Sequence, residues 1–144
     1  MFQPARLNRT LTLPSGMSAI RRLALGLGLL YLLATVLGIL PFIGGTLSTQ
    51  PSSVLWVAPV NLSANVLHAA IALFGVLASG RNGSSRAYAR VMGLFLCGLG
   101  VLGLIQSNPL GLIPLGGADF MLHLLSGGIA LYYGFAPAED VYSS

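Results

Sequence analysis

The chain has 144 residues, of which 55% are hydrophobic and only 7% are charged. A soluble domain carries about 25% charged residues, and at this size it buries only about two-thirds of its surface on folding. The polar residues are therefore too few to cover a soluble domain, and lipid is the expected surrounding. The length predicts one domain, without a separate catalytic module.

The net charge of +4 does not indicate nucleic-acid binding. The basic residues flank apolar segments and form no basic face with interleaved aromatic residues. All seven are arginines: Arg6, Arg9, Arg21, Arg22, Arg81, Arg86 and Arg90. We read them as determinants of membrane topology.

Four apolar segments approach or reach the length of about 20 residues that a helix needs to cross a bilayer. We therefore predict an all-α membrane protein with four transmembrane helices. A cytoplasmic or interfacial leader (residues 1–22) and a cytoplasmic tail (136–144) flank this domain. The predicted spans are residues 23–43, 62–79, 87–106 and 119–135.

The distribution of arginine predicts the orientation. Four arginines precede the first span and three lie at or near the link between the second and third spans, whereas the connections 44–61 and 107–118 have no basic residue. Cytoplasmic segments carry an excess of Lys and Arg. We therefore expect both ends of the chain on the cytoplasmic side.

The two halves of the chain contain related segments. Val36–Gly38 of the first span aligns with Val101–Gly103 of the third, 65 positions later, and Leu67-His68 aligns with Leu122-His123, 55 positions later. We predict two helical hairpins related as a parallel repeat. His68 and His123 then lie at similar depth, toward the non-cytoplasmic side.

Membrane helices associate through small residues, and such residues recur at helical spacing in these spans. His68 and His123 share faces with small residues and should point into the bundle. The third span carries a packing face of Gly93, Cys97, Gly100 and Gly103.

The two connections predicted to be non-cytoplasmic are apolar and uncharged. In one interpretation they lie in the bilayer interface, where Trp56 is an aromatic anchor. In the other, a partner subunit covers them, and Trp56, Leu112 and Ile113 are interface residues.

An ionisable group at membrane depth suggests a functional site. Asp119 and His123 lie four residues apart on one helix face, so the carboxylate can orient the imidazole, and Asp119 can also cap its helix. Asn65 precedes His68 by three residues and can support it in a comparable way. The ionisable candidates are His68, His123, Asp119, Arg90 and Tyr31.

Paired histidines at one depth allow several roles. They can ligate a haem iron or a chlorophyll magnesium, or hold a metal together with Asp119; they can also handle protons or ions. We expect instead hydrogen-bonded histidines that tie the hairpins together, with no directly ligated cofactor. No metal-spaced motif, phosphate loop or nucleophile–base arrangement occurs, so no metal site, catalytic residue or enzyme activity is predicted.

Several short motifs carry a resemblance to a known family. Asn65–His68, Val101–Leu104, Gly111–Pro114 and Ala118–His123 resemble a family of small bacterial four-helix integral membrane proteins catalogued only as a domain of unknown function. The resemblance covers residues 22–135. It implies a four-helix topology in a bacterial inner (or photosynthetic) membrane, and it implies no activity.

We expect a non-enzymatic accessory or assembly subunit of a larger respiratory or photosynthetic membrane complex. Its partners are the lipid bilayer and membrane subunits that contact the non-cytoplasmic loops. A membrane protein that binds haem or chlorophyll through the paired histidines is one alternative. A small transporter or channel-like protein is another.

Overall fold

A computed structural model describes residues 16–142 of the chain. Its helices are α1 (Ala19–Ile39), α2 (Leu62–Ala78), α3 (Asn82–Ile105), α4 (Ala118–Phe135) and α5 (Ala138–Tyr142). Short 3-10 turns occupy Pro41–Ile43 and Pro109–Gly111, and an antiparallel hairpin joins β1 (Ser52–Val54) to β2 (Ala58–Val60). The first 15 residues of the predicted leader lie outside the described part.

Two helices, α1 with 21 residues and α3 with 24, are long and apolar enough to cross a membrane. The apolar helix α2 is shorter, with 17 residues. The helix α4 has 18 residues, and its first two turns contain Asp119 and His123. The predicted all-α class is therefore confirmed in its coarse form, with the β-hairpin as an addition.

Helix boundaries differ from the predicted spans for local reasons. The first helix starts four residues early, at Ala19, and ends at Ile39, because Leu40 is extended and Pro41 opens a 3-10 turn. Helix α3 already begins at Asn82. Gly117 (φ 58°) is the N-cap of α4, so the prediction that Asp119 caps this helix was wrong.

The β-hairpin was not predicted, because the first connection lacks the Asn-Gly or Asp-Gly signal of a tight hairpin turn. Its tip instead places Leu55 (φ 49°) and Trp56 (φ 61°) in the left-handed region. Large side chains adopt this conformation rarely. The hairpin folds back over the C-terminal end of α1 and the N-terminal ends of α2 and α4. There Val54 and Val60 join a buried apolar cluster.

The same helix-to-helix contacts recur in the two halves. Gly28 of α1 lies against Val76 of α2; Gly93 of α3 lies against Leu131 of α4. Gly93 follows Gly28 by 65 positions, and Leu131 follows Val76 by 55. The chain therefore forms two helical hairpins, α1–α2 and α3–α4, with equivalent close-packed contacts.

Arginine side chains bind the C-terminal carbonyls of α2 and α4. Arg21 Nε donates to Ser79 O (2.8 Å), while Arg86 Nε (3.1 Å) and Arg90 Nε (2.8 Å) donate to Gly134 O. Positive charge at a helix C-terminus is favourable, and the guanidinium groups satisfy carbonyls that have no partner within the helix. All described arginines thus lie at one end of the bundle.

The small residues predicted on the third span lie against the fourth helix and the segment before it. Gly93 contacts Leu131, and Gly100 contacts Leu124. Cys97 lies against Gly127, and an added Cβ at Gly103 would meet Leu115 and Phe120. The three glycines have no room for larger side chains, so α3 approaches α4 and the segment before it closely.

Two asparagines hold the outer connections in place. Asn65 Nδ2 donates to Gly38 O (3.0 Å) and Thr46 O (2.7 Å). Asn61 caps α2 by accepting from Ala64 N (2.9 Å), and its amide donates to Leu112 O (2.9 Å). Asn65 therefore secures the end of α1, and the structure does not place it as the support for His68 that its spacing suggested.

Candidate metal centre

Packing of the two helical hairpins brings together three ionisable side chains from different parts of the sequence. His68 comes from α2, whereas Asp119 and His123 come from α4. His68 Nε2 lies 3.5 Å from Asp119 Oδ1, and His123 Nδ1 lies 3.3 Å from Asp119 Oδ2. We refer to these three residues as the His–Asp–His cluster.

The cluster is removed from solvent. His68, Asp119 and His123 are 6%, 5% and 1% exposed, respectively. Within residues 16–142, no hydrogen-bond partner is found for His68 Nδ1, Asp119 Oδ2 or either ring nitrogen of His123. The 3.3 Å approach of His123 to Asp119 therefore lacks hydrogen-bond alignment. Burial of polar atoms without partners is costly, and four of the six side-chain nitrogen and oxygen atoms of the cluster are buried in this way among the described residues.

The spacing of the cluster suits a metal ion. One ligand atom from each of the three residues can be chosen so that all lie within 4.8 Å of one another. Two ligands about 2.0–2.1 Å from a tetrahedral ion lie about 3.3 Å apart, which matches both histidine–carboxylate separations.

Tyr31 and Ser126 flank the cluster without belonging to the ligand set. Tyr31 Oη lies 2.8 Å from Ser126 Oγ, which in turn donates to Leu122 O (2.6 Å). The Tyr31 ring stacks on His123, with centroids 6.1 Å apart, and meets His68 at 5.3 Å with a 57° tilt. This fully buried ring restricts the orientation of both imidazoles.

A cavity of about 280 Å³ adjoins the cluster on the side of the β-hairpin. His68 and Asp119 both line it, whereas His123 does not. The rest of the lining comes from apolar residues of α1, α4 and the hairpin. An ion at the cluster would therefore border this cavity.

The geometry favours a small ion over a macrocycle. The ring centroids of His68 and His123 are 5.7 Å apart, and the Asp119 carboxylate contacts both imidazoles. A porphyrin ligated by both histidines would have to occupy the position of that carboxylate. A metal ion ligated by both histidines and by Asp119 therefore fits this geometry better than a porphyrin held between the two histidines.

The three residues predicted at a partner interface differ in their exposure. Trp56 is 91% exposed at the hairpin tip, and Leu112 is exposed in the third connection. Ile113 is partly buried and packs on the apolar cluster that contains Val54 and Val60. Trp56 and Leu112 are available for contact with lipid or protein, whereas Ile113 mainly closes the core.

Sequence reasoning named His68, His123 and Asp119 as one possible ligand set but predicted no metal site. Ligand spacing in sequence reveals a site only when the ligands are close along the chain, and His68 lies 51 positions before Asp119. Ser126 was missed, although it lies three residues after His123 on the same helix face. That spacing was the available signal.

Two helical hairpins with a buried His–Asp–His cluster define a small helical protein whose longest helices have membrane-spanning length and composition. Residues 21–136 match the family described as Domain of unknown function (DUF4383), and the chain belongs to this family. The resemblance to a family of unknown function is thereby confirmed. Neither the curated proteins nor the solved structures that were compared include a match.

Proposed function

We propose that this chain is a multi-pass membrane protein that binds a divalent transition-metal ion between its two helical hairpins. The observation that carries the proposal is the His–Asp–His cluster, with two imidazoles and one carboxylate in contact and nearly fully buried. Ionisable side chains are rare at membrane depth and mark functional sites. The proposal concerns binding and includes no catalytic step.

The ligand types narrow the choice of ion. Imidazole nitrogens suit zinc, iron, nickel and copper, whereas calcium and magnesium prefer oxygen ligands. Two histidines and one carboxylate are the protein ligands of several zinc and non-haem iron sites, which keep at least one position open. Zinc or ferrous iron is the proposed occupant, and Co²⁺ is a suitable spectroscopic probe because it accepts the same ligands.

The proposed topology has four crossings, with both ends on the cytoplasmic side of a bacterial inner membrane. The described arginines support it, because they cap helix ends on one side of the bundle and positively charged segments stay in the cytoplasm. The predicted tail contains α5, and its buried Val141 packs near Ile20 and Ala89 at that same end. The His–Asp–His cluster then lies toward the opposite, non-cytoplasmic side.

We also propose that the hairpins descend from one duplicated unit. Arg21 binds Ser79 O as Arg86 binds Gly134 O. The two arginines lie 65 positions apart, as α1 and α3 do, and the two carbonyls lie 55 positions apart, as His68 and His123 do. Under these offsets Asp119 corresponds to Ala64. The metal site would thus combine a repeated histidine with a carboxylate present in one half only.

Metal binding can be tested on the full chain purified in mild detergent. The protein should retain about one equivalent of zinc or iron and, after chelation, should bind Co²⁺ with the visible absorption of a low-symmetry site. The double variant His68→Ala, His123→Ala should bind no Co²⁺ in this way, because it lacks both imidazoles. Elemental analysis and optical titration provide the two measurements.

The matched control is Tyr31→Phe, which removes a hydroxyl beside the cluster and keeps the ring contacts with both histidines. This variant should bind Co²⁺ with the affinity of the unmodified chain. An unmodified, folded chain without stoichiometric metal and without a Co²⁺ spectrum would refute the proposal. Equal binding by the double-histidine variant would do the same.

The outer surface supports a second candidate, an accessory subunit of a larger membrane complex. Phe42, Trp56 and Leu110 are 82%, 91% and 87% exposed, and all lie in the connections at the end opposite the arginines. Exposed apolar groups of this kind mark interaction surfaces. Mass spectrometry after mild-detergent purification should then detect a stoichiometric membrane partner, which a Trp56→Ala, Leu110→Ala variant loses. Recovery of the unmodified chain alone from its native membrane would contradict the assignment.

A further inference from the structure

We propose that the metal ion takes a small monoanionic ligand with a short apolar body, of which a short-chain carboxylate is the simplest example. This inference rests on the proposed metal site and assigns the ligand class of that site. It follows from which residues face the cavity, from the charge of the occupied cluster and from the character of the cavity walls.

The open coordination position faces the cavity. His68 and Asp119 line the cavity, and the almost fully buried His123 contacts Asp119, so an ion held by the three residues would border the cavity. Three-ligand sites of this kind leave a fourth position for water or substrate. In this protein that position lies beneath the β-hairpin, among α1, α2 and α4.

The charge of the occupied cluster favours an anion. Metal-bound histidine is neutral and metal-bound aspartate carries one negative charge, so a divalent ion leaves a net charge of +1. Among the described residues no other acidic side chain lines the cavity. An unbalanced charge away from water is costly, and one monoanionic donor atom on the metal cancels it.

The walls favour an apolar body behind that donor atom. They are formed by Ala34, Leu37, Val54, Pro59, Val60 and Leu122, none of which offers a side-chain hydrogen bond. The volume of about 280 Å³ falls just below the range of about 300–1,000 Å³ for sites of drug-sized ligands. A few methylene groups match these walls, whereas a polar or multiply charged ligand finds no partner there.

The β-hairpin is fixed as the roof of this cavity. Ala118 N donates to Val57 O (2.8 Å), which ties the hairpin to the first residue of α4. A Cβ at Gly117 would lie only 2.3 Å from Val57 O, so glycine is needed for this approach as well as for its positive φ. The roof therefore sits next to the Asp119 ligand.

The test uses the Co²⁺-loaded full chain in detergent, titrated with acetate, propanoate and butanoate as probes. Each should change the visible Co²⁺ spectrum, and the affinity should rise about fourfold for each added methylene, the value for transfer of a methylene from water to an apolar site. Equal affinities for acetate and butanoate, or no spectral change with any probe, would overturn the proposal. Absence of a Co²⁺ spectrum before any probe is added would instead refute the metal site itself.

A pair of alanine variants locates the effect in the cavity. Ala34→Leu places a larger side chain in the wall and should abolish the advantage of butanoate over acetate. Ala69→Leu makes the same change at an exposed position of α2 and should keep the full advantage. Retention of the butanoate advantage in Ala34→Leu would contradict the assignment to this cavity.

Discussion

Asp119→Asn is expected to weaken Co²⁺ binding by more than about 100-fold. Loss of a residue that only supports the ligands already lowers metal affinity by about 10–100-fold, and Asp119 is proposed as a direct ligand. Its carboxylate contacts both imidazoles. The amide is a weaker donor and leaves the charge of a divalent ion uncompensated in a buried place.

The matched control for this charge change is Glu139→Gln, which removes one negative charge from an exposed position of α5. Optical titration should give this control the dissociation constant of the unmodified chain.

Thermal unfolding gives a second readout, since an ion at 100 times its dissociation constant stabilises the folded state by about 2.7 kcal/mol. Zinc should stabilise Glu139→Gln and leave Asp119→Asn unchanged. An unaltered Co²⁺ affinity in Asp119→Asn would exclude this residue as a ligand.

Gly75→Ala is expected to lower the free energy of unfolding by about 1–3 kcal/mol, the usual cost of overpacking a close contact. An added Cβ would lie 2.8 Å from both Ala24 O and Tyr88 Oη, and 2.9 Å from Gly28 Cα. Two of these atoms are backbone, so relief requires α1 and α2 to separate. The hydrogen bond from Tyr88 Oη to Ile71 O (3.1 Å) lies beside the same contact.

Gly26→Ala provides the comparison, because a Cβ at Gly26 meets nothing within 4 Å. Alanine favours a helix over glycine by about 1 kcal/mol, so this variant should be as stable as the unmodified chain or slightly more so. Denaturant titration in mixed micelles, followed by circular dichroism, measures the free energy of unfolding of both variants. If Gly75→Ala were as stable as Gly26→Ala, the close approach of α1 and α2 at Gly75 would be incorrect.

Much of the fold could be predicted because its signals are local in sequence. The length of the apolar segments located all four main helices, with errors at ends that depend on individual residues such as Pro41 and Gly117. The hairpin at Ser52–Val60 was missed for the opposite reason. Its turn uses Leu55 and Trp56 at positive φ, a conformation that contacts outside the turn must stabilise and that residue type alone argues against.

For the candidate site too, some features could be predicted from the sequence and others could not. Its members were recognisable individually, since a histidine or aspartate in an apolar helix is unusual wherever it occurs. The i,i+4 relation of Asp119 and His123 was also visible, because helical geometry fixes it. Asn65 does not support His68 as its spacing suggested. Spacing alone does not determine which carbonyl a side chain reaches, and the Asn65 amide donates to Gly38 O at the end of α1.

The sequence by itself determined the helical character, the family and the polar residues that matter, because hydrophobicity and charge act on each segment independently of the others. Only the tertiary structure decided that His68, Asp119 and His123 meet, that four of their six side-chain nitrogen and oxygen atoms lack hydrogen-bond partners among the described residues, and that a cavity adjoins them. These properties depend on how α2 packs against α4 and on where the β-hairpin folds back. Such packing is set by close contacts at glycines distant in sequence, which no single segment encodes.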